Sequence, residues 1–374
     1  MRLIGCAGNA DSRWTVKVVL LLALAILGAK ESIGEDNEGL ISFPDESDVC
    51  TFQPGWEGVC QSAASCSWTK LLIRKHYDIP HCEFIGTEPI VCCPKNLTGV
   101  ELAIKLSEEV PSLHELTYHI HNGQPADLPF VAALGYSNQG SDKSAYKWHC
   151  GSILISHSYL LTAAHCVFNN NTIYFARMGH PDVPSVAHNG IHQYRQIEYL
   201  IKHPEYRSKE KQNDIALAKV MQPFIFVPEV NPVCLPNSLE DKDKILKLHI
   251  AGWGSTENMK KSNKLLWANV TTVPISKCRE AYEQFPQVGS KITDQHYCAI
   301  GNNETDISDA CWGDSGGPLF TSANISGTLK YQLIGIISKG VNCGSRYPGV
   351  YVYVGSYLDW IASHVKIEDV LKLL

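Results

Sequence analysis

The chain has 374 residues, a length that suits two or three domains rather than one small module. Its 32 Lys and Arg against 38 Asp and Glu leave a net charge of −6, too mild and too evenly spread for nucleic-acid or polyanion binding. An apolar content of 44%, with 28 Gly and 19 Pro, excludes a disordered or collagen-like chain.

At the N-terminus, Arg2, Arg13 and Lys17 precede an apolar run over residues 18–29. That run is shorter than the ~20 residues of a membrane-spanning helix and suits the core of an export signal. A signal peptide is therefore expected over residues 1–29, with cleavage after Gly28, Ala29 or Gly34 and an uncleaved signal anchor as the alternative. After an acidic stretch, six cysteines (Cys50, Cys60, Cys66, Cys82, Cys92 and Cys93) fall within 44 residues. This density belongs to a disulfide-stapled module in an oxidising compartment, so a secreted, extracellular protein is expected. The cluster has no C-x-x-C pair, which argues against zinc. Spacing alone leaves fifteen pairings open.

Residues 94–119 form a linker without cysteine, in which Leu102, Leu106 and Val110 recur at helical spacing. From residue 120 short apolar runs, at 151–155, 159–162, 248–252 and 333–338, alternate with Gly, Pro and Asn. That rhythm predicts an all-β sandwich or barrel. At the end, Ser356 is expected to cap a helix with Leu358, Ile361, Ala362 and Val365 on one face.

Three segments carry the chemistry: Leu161-Thr162-Ala163-Ala164-His165-Cys166, Asn213-Asp214-Ile215-Ala216-Leu217 and Gly313-Asp314-Ser315-Gly316-Gly317-Pro318. A serine hydroxyl is a poor nucleophile at neutral pH and needs a base, which in turn needs an orienting carboxylate. Ser315 would attack, His165 would take and return the proton, and Asp214 would fix the imidazole tautomer. The backbone N–H groups of Gly313 and Ser315 would face the developing oxyanion, each such donor contributing about 2.7–4 kcal/mol.

In the order His, Asp, Ser and in this context, the segments resemble the chymotrypsin-like (S1) serine proteases over roughly residues 120–365. The resemblance implies two six-stranded β-barrels with the site in the cleft between them, a C-terminal helix, and a protease domain over 120–374. It also implies disulfides Cys150–Cys166, Cys278–Cys298 and Cys311–Cys343. Six residues before Ser315, Asp309 matches the base of the family's specificity pocket, and Gly340 and Gly349 match its walls. A carboxylate there selects Arg or Lys, because leaving it unpaired is costly. Ser338-Lys339-Gly340 stands where the family usually has Ser-Trp-Gly, so Lys339 would disfavour basic neighbouring substrate residues and narrow the substrate range.

Ile120-His121-Asn122-Gly123 resembles the family's activation site, where a cut frees an α-amino group that pairs with the residue before the nucleophile, here Asp314. His119 precedes the bond, and no Lys or Arg lies between Lys105 and Ile120, so the activating protease would be of non-tryptic specificity.

The six clustered cysteines resemble the clip domains of arthropod protease zymogens over residues 50–93, which implies pairs Cys50–Cys92, Cys60–Cys82 and Cys66–Cys93. With the His-terminated activation site, the chain resembles the snake/persephone group of clip-domain proteases. That implies a downstream clip-domain zymogen as substrate in the Toll, melanisation or a developmental cascade, and control by a serpin. Neither nucleic acid nor membrane is an expected partner. Cys234 matches a position that usually bridges to the linker; here it would be free, pair between molecules, or leave the two activated chains held non-covalently. No cofactor is expected, and the loop after Arg177 offers no clear carboxylate pair for calcium. Asn96, Asn170, Asn269, Asn303 and Asn324 begin glycosylation sequons. The alternative to an endopeptidase is a catalytically silent clip-domain cofactor or scaffold, or a secreted toxin or adhesive component reusing the fold.

Overall fold

The computed structural model describes residues 49–112 and 128–365, apart from 54–55, 67–68, 70–79, 86, 96–97, 109, 138–146, 169–171, 180–181, 183–191, 237–246, 256–261, 286–288, 290, 302–309, 311–312 and 341–346. Chain contacts divide it into two compact units that meet at Lys95 and Asn96. The expected export signal, His119, Ile120, Asp309, Cys311, Cys343, Asn96, Asn170, Asn303 and most of the loop after Arg177 lie outside the described residues.

The first unit holds strands β1 (Val49–Gln53), β2 (Trp56–Ser62), β3 (His81–Ile85) and β4 (Glu88–Pro94) in one antiparallel sheet of order β1-β2-β4-β3. Disulfides join Cys50 to Cys92, Cys60 to Cys82 and Cys66 to Cys93. The buried apolar cluster here is small, Cys66, Val91 and Cys93, so cross-links do what a large core does elsewhere. Gly58 is required by this packing: a Cβ on it would lie 2.6 Å from Cys92 Sγ.

The second unit is built on two closed antiparallel barrels. The first contains β5 (Val131–Ser137), β6 (Lys147–Leu154), β7 (Tyr159–Thr162), β8 (Ile173–Met178), β9 (Gln193–Lys202) and β10 (Ala216–Val220), in the order β10-β7-β6-β5-β8-β9. The second contains β11 (Lys247–Gly252), β12 (Leu266–Val273), β13 (His296–Gly301), β14 (Pro318–Ile325), β15 (Thr328–Lys339) and β16 (Gly349–Tyr353), in the order β11-β12-β13-β16-β15-β14. Closure leaves no free sheet edge. Leu134, Ile153, Leu161 and Leu217 fill the first barrel, and Leu248, Val270, Tyr297, Leu319, Ile334 and Tyr353 the second. Between them Phe130 stacks edge-on against Phe320, ring centroids 5.2 Å apart.

The apolar run at 159–162 is β7 itself, buried at all four positions. Strand β15 extends well before the expected run, because Ser326 (φ 53°) and Gly327 (φ 81°) form a tight hairpin turn with β14. Among the described residues the unit also holds the helices α1 (Gly99–Glu108), α2 (Ile275–Ala281) and α3 (Leu358–His364). Cys278 on α2 is bonded to Cys298 on β13, and Cys150 on β6 to Cys166. Leu358, Ile361 and Val365 are buried, as the helical spacing predicts. Ser356 is not the cap: it lies in a 3-10 turn (Val354–Tyr357) that leads directly into α3, and Tyr357 takes the N-cap position without a side-chain bond. Among the described residues no helix is long and apolar enough to cross a membrane.

Candidate active site

His165 sits in a 3-10 turn (Ala164–Cys166) immediately after β7. Ala163 and Ala164 are fully buried, and only small side chains let the turn tuck against the barrel. The disulfide to Cys150 anchors its far end on β6.

Asp214 is fully buried just before β10. It follows Asn213, held in the left-handed region at φ 50°, a conformation Asn tolerates better than most residues. Asn213 is fixed on both sides: its amide donates to the Glu205 carbonyl, and its oxygen accepts the Tyr357 hydroxyl at 3.0 Å. The Asp214 carboxylate accepts three hydrogen bonds. Oδ1 takes the His165 backbone N–H at 2.9 Å, and Oδ2 takes the His165 Nδ1–H at 2.8 Å and the Ser338 hydroxyl at 2.5 Å. Burial alone would push this carboxyl up, but the bonds and charge of His165, with the Ser338 hydroxyl, hold it below the ordinary carboxylate range. The imidazole, with Nδ1 committed to the carboxylate, has Nε2 left for the task of a base.

Ser315 lies in a turn stitched to both barrels. Its carbonyl accepts the Gly151 N–H of β6 at 2.8 Å, and Gly316 donates to the Ile337 carbonyl of β15 at 2.9 Å. Gly313 (φ 108°) and Gly316 (φ 79°) both occupy backbone regions that side chains avoid. A Cβ on Gly316 would come within 2.3 Å of Thr162 Oγ1, three residues before His165, so this glycine sets how closely the serine turn approaches the histidine turn. Asp314 is seated on Gly252 and Gly254; its Oδ1 accepts the Gly254 N–H at 2.6 Å.

The two expected pocket-wall glycines differ. Among the described residues nothing lies within 4 Å of where a Cβ on Gly340 would stand, whereas a Cβ on Gly349 would meet the Tyr351 hydroxyl at 2.9 Å. Of the sequons, Asn269 and Asn324 are exposed on β12 and β14.

Three features escaped the sequence reading. The Ser338 hydroxyl bonds Asp214 across 124 residues, although the Ser338-Lys339-Gly340 motif flagged the position. Gly252 and Gly254 seat Asp314, with only the Gly-Trp-Gly run as a local signal. Third, two lysines cross beside the carboxylate: Lys211 Nζ donates to the Ser338 carbonyl at 3.1 Å, and Lys339 Nζ to the Glu210 carbonyl at 3.2 Å. Burial pushes Lys339 down to about 8 even though Asp214 opposes the shift. His296, buried beside Lys339, is pushed down to about 4 and stays neutral at pH 7.

Residues 118–361 match the trypsin family. The chain belongs to that family of serine proteases. It is 31% identical over 362 residues to CLIP domain-containing serine protease C9 of Anopheles gambiae, with 94% of each chain covered. Serine protease grass of Drosophila melanogaster is 30% identical over 361 residues, covering 85% of this chain and 91% of that one. Melanization protease 1 of the same fly is 34% identical over 261 residues, covering 64% and 63%. The protein is thus a clip-domain member of the trypsin family.

Proposed function

We propose that the chain is a secreted protease zymogen, cut between His119 and Ile120 by a protease of non-tryptic specificity, that then cleaves after Arg or Lys in a downstream clip-domain zymogen. The observation that carries this reading is the buried Asp214 carboxylate, bonded twice to His165 beside the Ser315 turn. In the reaction Ser315 Oγ attacks the scissile carbonyl while His165 Nε2 takes its proton. His165 then protonates the leaving amine, and a water repeats the sequence to release the acid. The Gly313 and Ser315 N–H groups stabilise the oxyanion, and Asp314, paired with the new Ile120 amine, holds them in place. Asp309 gives the pocket its preference for a cation. Export fits the five disulfides among the described residues. A cascade role in innate immunity, under serpin control, fits a relative named for melanisation.

The test is activation of the purified full chain followed by N-terminal sequencing and assay on an Arg-terminated peptide amide. A new terminus at Ile120 together with turnover is expected. A terminus elsewhere would overturn the activation site, and absence of turnover after a correct cut would favour the silent scaffold.

Lys211 and Lys339 refine the substrate class. Both ammonium groups are met by neutral carbonyls, so a substrate carboxylate passing them is a better partner than either. Peptides with Glu immediately before the cleaved Arg should exceed those with Lys there about tenfold in kcat/KM at pH 7, in line with the 1.5–3 kcal/mol typical of a charged hydrogen bond. Since Lys339 carries its charge below about 8 and loses it above, the ratio should shrink as pH rises through that value. Taking a ratio cancels any effect of pH on the enzyme that acts on both peptides alike. A ratio flat from pH 7 to 9 would remove Lys339 from the selection.

A further inference from the structure

Helix α1 belongs to the linker in sequence, yet it is packed into the second unit along its whole length. It starts with a reciprocal capping box: Thr98 N–H donates to Glu101 Oε2 at 2.7 Å, and Glu101 N–H to Thr98 Oγ1 at 3.3 Å. Its inner face is dry, with Leu102, Ala103 and Leu106 exposed by 2%, 0% and 1%. Three contacts fix it on the protease fold. At its start Gly99 N–H donates to Asp359 Oδ1 at 2.8 Å, and a Cβ on Gly99 would lie 2.2 Å from the Leu358 carbonyl carbon, so the two backbones touch. At its end the buried Lys330 ammonium donates to the Ser107 carbonyl at 2.8 Å, one of the acceptors that a helix C-terminus leaves without an internal partner. Just beyond, Val110 packs against Cys234 and Ile325.

None of these contacts is covalent. The sequence has no cysteine from 94 to 149, and Cys234 is a free thiol, fully buried and pushed up to about 12 by that burial, which leaves it no route to a second molecule. We infer that the groove formed by α3, Lys330 and Cys234 is a docking surface for residues 98–112, and that it retains the clip-bearing light chain on the protease after activation. The inference rests on the proposed cut at His119, which lies downstream of α1 and would leave the helix on the light chain. Pairing of Cys234 between molecules falls away on this account, and a free thiol with non-covalent retention of the two chains remains.

The test needs neither the natural activator nor catalysis. A recognition sequence for an unrelated site-specific protease, inserted between Glu115 and Leu116 of the full chain, allows the cut to be made at will. After cutting, non-reducing denaturing gels should show two separate chains, while native gel filtration at micromolar concentration should show one complex. Gly99→Val, Leu106→Asp and Lys330→Met should each speed dissociation of the light chain at least tenfold. Lys330→Met guards against misfolding in the first two, because it alters one hydrogen bond and keeps the side-chain volume. Separation of the unmutated chains on native gel filtration would overturn the inference. So would a covalently joined pair on the non-reducing gel, or retention that survives all three substitutions. A wrong activation site would show instead in N-terminal sequencing of the naturally activated protein, so the two failures are distinguishable.

Discussion

In enzyme activated by a cut before Ile120, Asp214→Asn should lower kcat by about 10⁴-fold with the fold intact, the size expected when a serine–histidine–aspartate site loses its orienting carboxylate. The geometry states why. Both carboxylate oxygens are used on His165, one on its backbone and one on its ring, so the group sets both where the imidazole stands and which nitrogen carries the proton. An amide nitrogen in place of Oδ2 would present its hydrogen to Nδ1–H, a clash of donors that favours the wrong imidazole tautomer, while the Ser338 hydroxyl would have to turn from donor to acceptor. Ser315→Ala should be more severe, about 10⁶-fold, because it removes the hydroxyl proposed as the nucleophile. Ser338→Ala removes only one of three bonds to the carboxylate and should cost about tenfold in kcat at unchanged KM, an estimate scaled from one charge-assisted hydrogen bond. Burst and steady-state kinetics on one peptide amide separate these cases. Asp214→Asn keeping more than a tenth of the parent rate would remove it from the orienting role.

Gly252→Ala should damage the protein although nothing reactive is altered. A Cβ at this position would stand 2.0 Å from Asp314 Oδ1, and one on Gly254 would stand 2.3 Å from Oδ2. The carboxylate is confined on both sides, so it has to move. Asp314 is bonded to Ser315 along the chain, and displacement of a reacting group by about 1 Å costs roughly 10²-fold in rate. Forcing a methyl into a packed site also lowers stability by about 1–3 kcal/mol. A paired measurement of kcat and of denaturant unfolding checks both effects. If Gly252→Ala retains parental rate and midpoint, the seat under Asp314 is looser than the distances require.

The parts of this protein readable in advance are those whose signal is local. Strand β7 coincides with an apolar run, the spacing of Leu102 and Leu106 marks α1, which ends before Val110, and glycine is the one residue type comfortable at the φ 108° and 79° found beside Ser315. Ser356 shows how a local signal fails: a serine at helix-cap spacing loses its role when a 3-10 turn already leads the chain into the helix. Gly349 carries a related lesson. Read as the open wall of a pocket, it is also the one residue that the Tyr351 ring leaves room for.

From its amino acids alone, this chain determines its cysteine-dense module, its alternation of short strands, and the three segments able to supply a hydroxyl, an imidazole and a carboxylate. These follow from composition, periodicity and motif, each confined to a few neighbouring residues. Only the tertiary structure decides that Ser338 reaches Asp214 from 124 residues away, that Lys330 caps a helix 223 residues earlier, and that Asp359 receives Gly99 across 260. A single hydroxyl, ammonium or glycine has no period and no local partner, so its role exists only once barrel closure and helix docking bring the distant backbone beside it.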